Sequence, residues 1–599
     1  MRISFGPRAP SAPVSLRLWM NLPSGIIGKE KTDGVVLVTE VLSNWKMQEE
    51  FADIVRQAVQ SLVSEGCLPE ETLEKPIIVE KPRDPDHGDL ATNAALVLAG
   101  PARRSPRKVA EELCRAMGPQ IEGSRHFHSL EIAGPGFVNL RFSDAYLYDL
   151  LAVITEDDRY GSWERGGGRR VLVEFVSANP TGPLLVVQAR SAALGDVLVR
   201  LLRRIGYDAN SEYYVNDAGG QLDKLGLSMQ IRVQELSGED VTLPEDAYPG
   251  DYVRDLAQLY LQRHGDDGEM SREILGRFAA EELIKEQRQM LQRYGVQFDR
   301  WYRESEIRAQ GGPERILALL GERGYLYDLD GAVWLRSTAF GDDKDRVLVK
   351  SDGSFTYLVP DLAYHLDKLE RGYEWLIDIL GPDHHGYVAR MQAGLCALGY
   401  PEDVLHVLIS QWVRLLSGGK EISMSKRAGT FVPMEELLDD VGKDAARFFF
   451  VMRSPSSPLD FDLDLARAQS SDNPVYYAQY AHARISGIMV EADRRGLGQG
   501  VDRFTECLSV LNHPREHQLI RLLGDYPGEV LQAGESLEPQ RIAAYVLDLA
   551  AAFHVFYTDC RILGSDERMT AARLILARGC QKILADALGL MGVDAPKRM

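Results

Sequence analysis

The sequence predicts an α/β protein of several domains, with a doubly wound parallel sheet in its middle and an all-α bundle at its end. Three observations lead there. A chain of 599 residues is too long for one hydrophobic core and divides into three or four domains. The run from Arg170 to Val176 reads as a buried strand; after a turn containing Pro and Gly, Pro183 to Arg204 reads as a long helix, with Leu184, Val187, Leu194, Leu198 and Leu201 inward. Strand, tight turn and helix start form the first unit of an open α/β sheet, where ligands sit at the carboxyl ends of strands. After Asp444 the pattern turns helical throughout, and amphipathic segments from Asn473 to Gly589 predict a separate bundle.

Taken in order, residues 1–46 form an extension to which no role is assigned. Arg2, Arg8, Arg17, Lys29 and several serines give it the look of a transit peptide, but Pro7, Pro10, Pro13 and Pro23 interrupt any amphipathic helix. The first regular element is a helix from Gln48 to Ser64, with Phe51, Ile54, Val55, Ala58, Val59 and Leu62 at helical spacing. A strand at Pro76–Glu80, a turn-rich stretch Lys81–Asn93, a helix Pro106–Met117 and the segment Leu130–Phe142 complete a small α+β unit, 47–160. Gly166-Gly167-Gly168 marks a linker, and the central domain runs over 165–444. Its further strand-like runs are Val347–Val349, Trp375–Leu380 and Val404–Ile409, and the charged, largely helical stretch from Asp217 to Arg323 reads as an insertion. The helical remainder is 445–599.

Composition sets limits. The chain is 45% apolar and 26% charged, and no apolar run approaches the roughly 18 residues a membrane span needs. A net charge of −20 argues against a general nucleic-acid coat protein, which depends on a basic surface, but leaves room for an acidic enzyme that reads one folded RNA through local patches. Six cysteines without a C-x-x-C pair suggest neither a zinc site nor disulfides, and fit reduced thiols in the cytoplasm. No metal site is expected: Asp383-His384-His385 lacks a third His or Cys group at ligand spacing.

Six stretches, in order, resemble the arginyl-tRNA synthetases: Asp84–Asn93, Glu174–Leu184, Glu212–Gly219, Gly381–Tyr387, Met424–Gly429 and Asn473–Tyr477. The resemblance covers about Met47 to Met599 and implies a class I Rossmann-type catalytic domain, an N-terminal tRNA-elbow domain and a C-terminal all-α anticodon-binding bundle. It implies the reaction of arginine with ATP to arginyl-adenylate and transfer to tRNA, by a monomeric, cytoplasmic enzyme free of membranes. ATP enters as its magnesium complex, a substrate, with no tightly bound cofactor. Glu174, Asn179, Tyr357 and Asp361 match the arginine-binding positions, and a carboxylate offers guanidinium a bidentate acceptor. Ser425 and Lys426 fall in the mobile phosphate loop, with Lys426 expected on the triphosphate. Asp383 and His384 face nucleotide and arginine. Asn473, Tyr476 and Tyr480 combine aromatic faces with polar tips suited to anticodon bases.

One motif departs from the pattern. After Pro183, where the family carries His-x-Gly-His, this chain has Leu185 and Gln188 at the two histidine positions and Val187 at the glycine. Leucine donates nothing, glutamine cannot become cationic, and a β-branched side chain crowds the space beside adenine. Two readings stay open: an arginine–tRNA ligase that binds ATP in a compensated way, and a weakened paralogue that binds arginine or tRNA without efficient activation.

Overall fold

The computed structural model describes residues 42–244, 247–265, 268–384, 386–422, 432–497 and 507–599. It divides into two compact units. One comprises residues up to 160 with 492–528 and 556–579; the other comprises 161–491, 529–555 and 580–599.

The first unit contains helix α1 (Asn44–Ser64), strands β1 (Val79–Glu80) and β2 (Leu90–Thr92), helices α2 (Ala94–Ala102) and α3 (Pro106–Gly123), strands β3 (Phe127–Ala133) and β4 (Phe137–Phe142), and helix α4 (Asp144–Glu156). The strands pair antiparallel in the order β1-β2-β4-β3. Helix α1 starts earlier than its apolar pattern because the Ser43 hydroxyl accepts the Lys46 amide at 3.2 Å, an N-cap. Asn44 then donates to Arg521 O at 2.7 Å and Asp525 Oδ1 at 2.6 Å, which binds a C-terminal helical segment into this unit.

The second unit opens with β5 (Arg170–Glu174), α5 (Val186–Arg204), β6 (Asp208–Val215), α6 (Gly220–Leu236), α7 (Asp251–His264), α8 (Arg272–Arg293), β7 (Arg300–Arg303), α9 (Glu304–Ala309) and α10 (Gly312–Glu322). It continues with β8 (Leu326–Leu329), β9 (Ala332–Leu335), β10 (Arg346–Val349), α11 (Leu358–Glu370), β11 (Trp375–Leu380), α12 (Tyr387–Ala397), β12 (Leu405–Ile409), β13 (Val413–Ser417), β14 (Lys420–Glu421), α13 (Met434–Val451), β15 (Leu459–Asp462), α14 (Leu463–Arg467) and α15 (Pro474–Arg494). Five strands form a parallel sheet in the order β12-β11-β5-β6-β7. The winding reverses between β5 and β11, which makes the carboxyl ends of these two strands the expected ligand crevice. Strand β5 reaches α5 through a close approach at Gly195, where a Cβ would lie 2.1 Å from the Phe175 ring.

Several elements differ from the sequence reading. Val347–Val349 lies in a separate three-stranded antiparallel sheet, β10-β9-β8, and the insertion gives up Arg300–Arg303 to the edge of the parallel sheet. The chain after Asp444 is not helical throughout: β15 pairs parallel with β13, Leu459 and Phe461 buried and Asp460 exposed, a period-two alternation too short to register between helical segments. The helix Gln540–Asp559 is also long and apolar enough to cross a membrane by length and composition, contrary to the sequence reading, yet Ile542, Val546, Leu549 and Phe553 are buried, as in a core helix.

Candidate active site

Strand register brings three acids together at the crevice. Asp378 on β11 lies opposite Glu174 on β5, and Glu174 opposite Glu212 on β6, so all three side chains fall on one face of the sheet. All three are buried, which is costly for ionised carboxylates unless they are paired. Helix α11 supplies the partners, because Asp361, Tyr364, His365 and Lys368 recur at three- and four-residue spacing along one side of it. Lys368, fully buried, donates to Glu174 Oε2 at 2.6 Å and to Asp378 Oδ1 at 3.0 Å, and its Nζ lies 4.3 Å from the centre of the Tyr364 ring. Arg371, just beyond the helix, donates to both oxygens of Glu212 at 2.7 and 2.8 Å, and Tyr364 donates to Oε1 at 2.7 Å. His365 Nε2 lies 2.8 Å from Asp378 Oδ2, and its Nδ1 2.8 Å from the carbonyl oxygen of Asp361. Burial opposes charge on both members of the central pair, but Asp378 and Glu174 hold the Lys368 pKa above the usual lysine range, and Lys368 and His365 hold Asp378 below the usual carboxylate range.

Asp361 differs from these acids. Among the described residues no lysine or arginine pairs with it, and its hydrogen bond comes from the Tyr387 hydroxyl. Burial pushes its pKa up to about 6; His365 and the Tyr387 hydrogen bond pull the other way, and the acids Glu174 and Glu304 add to the rise. A half-buried carboxylate raised in this way, beside further acids, is a ready acceptor for a planar cation.

The turn between β5 and α5 is strained and heavily supported. Val176 and Ser177 have φ of 71° and 38°, and left-handed backbone costs a β-branched residue roughly 1–2 kcal/mol. The surrounding hydrogen bonds over-determine it. Val176 N donates to Ser191 Oγ at 3.1 Å, and Ser177 Oγ donates to Glu174 Oε1 at 2.8 Å while accepting the Tyr214 amide at 3.1 Å. The Gln287 amide donates to Asn179 O at 3.2 Å and Gly182 O at 3.0 Å and accepts from the Tyr213 hydroxyl at 2.9 Å. Asn179 is exposed beside this scaffold; Tyr357, 89% exposed, stands at the start of α11, one helical turn before Asp361.

The next residues have a different character. Helix α5 begins at Val186 rather than Pro183, because residues 184–186 pair with 432–434 as extended chain: Val186 N donates to Val432 O at 3.1 Å, and Met434 N to Leu184 O at 2.7 Å. Gln188 Oε1 accepts the Leu185 amide at 2.9 Å, half of a capping box; Leu185 has no polar atom to return the bond. Leu185, Val187 and Gln188 are half-buried, and Pro183, Asp383 and His384 are exposed. Behind them Arg190, fully buried, donates to the carbonyls of Gln411 (2.8 Å), Ser454 (2.9 Å) and Ser457 (2.8 Å), with its pKa drawn down to about 10 by burial. Ser425 and Lys426 lie outside the described residues.

Comparison with known proteins supplies the family. The arginyl tRNA synthetase N terminal domain matches residues 49–142, the class I (R) tRNA synthetase catalytic domain residues 149–452, and the DALR anticodon binding domain residues 478–599. The arginine–tRNA ligase of Symbiobacterium thermophilum is 45% identical over 92% of this chain and 98% of its own, and that of Desulforudis audaxviator 46% identical over 91% and 97%. This chain belongs to the arginyl-tRNA synthetase family. The Thermus thermophilus arginyl-tRNA synthetase, 22% identical, superposes with a TM-score of 0.72, covering 92% of this chain and all of that one, and shows the shared fold.

In this arginyl-tRNA synthetase fold the residues predicted to bind arginine and those predicted to bind tRNA lie in different places. Glu174 at the end of β5 and Asp361 on α11 interact electrostatically, and Asn179 lies exposed in the turn that follows β5. Tyr476 and Tyr480 sit elsewhere, on α15, stacked with ring centres 6.2 Å apart and planes within 8°; Arg484 lies 4.8 Å from the Tyr480 ring centre. Asn473 is only 3% exposed, and its amide donates to Ala466 O at 3.0 Å and Ala468 O at 2.8 Å, so this side chain anchors the start of α15. Sequence reasoning passed over His365, Lys368, Asp378 and Tyr387. Asp378 carried a signal, an acid inside the apolar strand Trp375–Leu380, which requires a buried partner.

Proposed function

We propose that the chain is an arginine–tRNA ligase. The observation that supports this most strongly is the pairing of Glu174, supported from behind by Lys368, with Asp361, whose carboxyl has no lysine or arginine partner among the described residues, at the switch point of the sheet. In this reading Glu174, Asn179, Tyr357 and Asp361 hold the α-amino group and guanidinium. The arginine carboxylate attacks the α-phosphorus of ATP, pyrophosphate leaves, and a ribose hydroxyl of the terminal tRNA adenosine then displaces AMP from the arginyl-adenylate. The protein's part is to align the reactants and to neutralise charge on the departing pyrophosphate. That second role belongs to Lys426 with Ser425, while Asp383 and His384 face nucleotide and arginine, and Leu185, Val187 and Gln188 line the place of the ATP-binding motif. Residues 47–160 contact the tRNA elbow, and the helices of 445–599, with Tyr476 and Tyr480, contact the anticodon. ATP arrives with magnesium, and the enzyme acts as a cytoplasmic monomer.

The experiment is ATP–pyrophosphate exchange in the presence of tRNA. Exchange that depends on arginine supports the ligase. Arginine binding without exchange supports the weakened paralogue, which the relatives do not favour.

A further inference from the structure

We infer that Lys368 is a positioning residue for arginine, acting through Glu174; the inference rests on the reading of Glu174 as an arginine-binding group. Lys368 touches no substrate in that reading. Its ammonium lies fully buried between the in-register carboxylates of Glu174 and Asp378, at 2.6 and 3.0 Å, and fixes Glu174 Oε2. Ser177 Oγ fixes the other oxygen at 2.8 Å. Each carboxylate oxygen accepts two hydrogen bonds, so the two fixed contacts set the plane of Glu174 and leave one lone pair on each oxygen for a cationic ligand.

The same ammonium links the two acids proposed to meet arginine. From Glu174 the chain of contacts runs through Lys368 to Asp378, from Asp378 to His365 at 2.8 Å, and from His365 to the backbone oxygen of Asp361 at 2.8 Å. Glu174 on β5 and Asp361 on α11 are thereby held at a fixed separation, which recognition of a rigid planar guanidinium requires. Lys368 also offsets one of two adjacent buried negative charges. Without it, Glu174 and Asp378 repel, and Glu174 turns away from the geometry that Ser177 alone cannot maintain.

The test compares Lys368→Met, Lys368→Arg and Glu174→Gln in pyrophosphate exchange, with arginine and ATP varied separately and folding followed by thermal melting. Loss of one partner of a buried charged pair should raise the arginine KM of Lys368→Met by about 30-fold or more. Its ATP KM should change by less than about twofold, as expected when only one ligand's binding is touched. Lys368→Arg should recover part of the loss, and combining Lys368→Met with Glu174→Gln should be no worse than the poorer single variant, since both act through one carboxylate. Should Lys368→Met fail to fold, Lys368→Met with Asp378→Asn, which removes one cation and one anion together, is read in the same way. An unchanged arginine KM in folded Lys368→Met, or in Lys368→Met combined with Asp378→Asn, with Glu174→Gln impaired, overturns the role of Lys368 alone. Equal rises in both KM values overturn it too. An unchanged arginine KM in Glu174→Gln overturns the reading of the site itself.

Discussion

The segment from Glu174 to Gly182 and the segment from Leu185 to Gln188 adjoin in sequence, yet they are held by different forces. The first is bound into the interior: Glu174 is ion-paired to a buried lysine, and the strained Val176-Ser177 turn is fastened by Ser191, Tyr213, Tyr214 and Gln287. The second is fixed mainly through its backbone, by pairing with residues 432–434 and by the Gln188 cap, while its side chains are only half-buried. Folding therefore dictates side-chain identity at Glu174 and Ser177 and tolerates change in the second segment. The second segment is also where the sequence departs from the resemblance, so the fold constrains the proposed arginine side more than the proposed phosphate side.

The largest expected effect breaks this asymmetry. Combining Leu185→His, Val187→Gly and Gln188→His should raise arginine-dependent pyrophosphate exchange by orders of magnitude, since each preorganised donor to a developing anion contributes about 3 to 4 kcal/mol. Thermal melting should show the triple variant still folded, because glycine in a helix costs only about 1 kcal/mol. An unchanged rate would place any limitation elsewhere.

Next in size is the proposed arginine side. Asp361→Asn should weaken arginine binding about 30-fold or more, as loss of a charged hydrogen-bonding partner does, with ATP binding unaffected in calorimetry. The Asp361 carboxyl has its pKa raised to about 6 by burial, so in the free protein it takes up a proton as pH falls through that value, whereas guanidinium prefers it ionised. Arginine affinity should then be level above pH 6 and fall below it, by at most about tenfold per pH unit for a single group. Asp361→Asn should abolish the inflection, and its persistence in that variant would assign it to another group.

The smallest effects concern the scaffold. Gly195→Ala drives a Cβ to 2.1 Å from Phe175 and should lower stability by about 1–3 kcal/mol, read as a fall in the thermal midpoint. Val176→Gly removes the left-handed strain but loosens the unfolded chain, so stability should shift by less than about 1 kcal/mol. A large loss would mean that the valine side chain, not the hydrogen bonds around it, holds the turn.

Much of this was legible in the sequence, for identifiable reasons. Strand β5, the turn and α5 announced themselves by apolar runs and a Pro-Gly turn, and β11 and β12 by continuous apolar segments, which buried parallel strands produce. Strands β7 and β15 were hidden: four residues each, they sit among strong helical patterns. Glu174 and Asp361 were visible as motif residues, but their supports were not, because a lysine, a histidine and an aspartate become one network only when α11 folds over the sheet. The spacing of Asp361, His365 and Lys368 on one helix face was in plain view and had no meaning without Asp378 opposite. Asn473 shows the converse, a polar residue in a motif whose side chain the fold takes up for itself.

The most direct measurement is transfer of labelled arginine to tRNA, with ATP and arginine varied against each other. Arginyl-tRNA should form, and the triple substitution at Leu185, Val187 and Gln188 should act on the ATP dependence while leaving the arginine KM unchanged. Arginine that binds without ever appearing on tRNA, in the parent and in the triple variant alike, would contradict the proposed function.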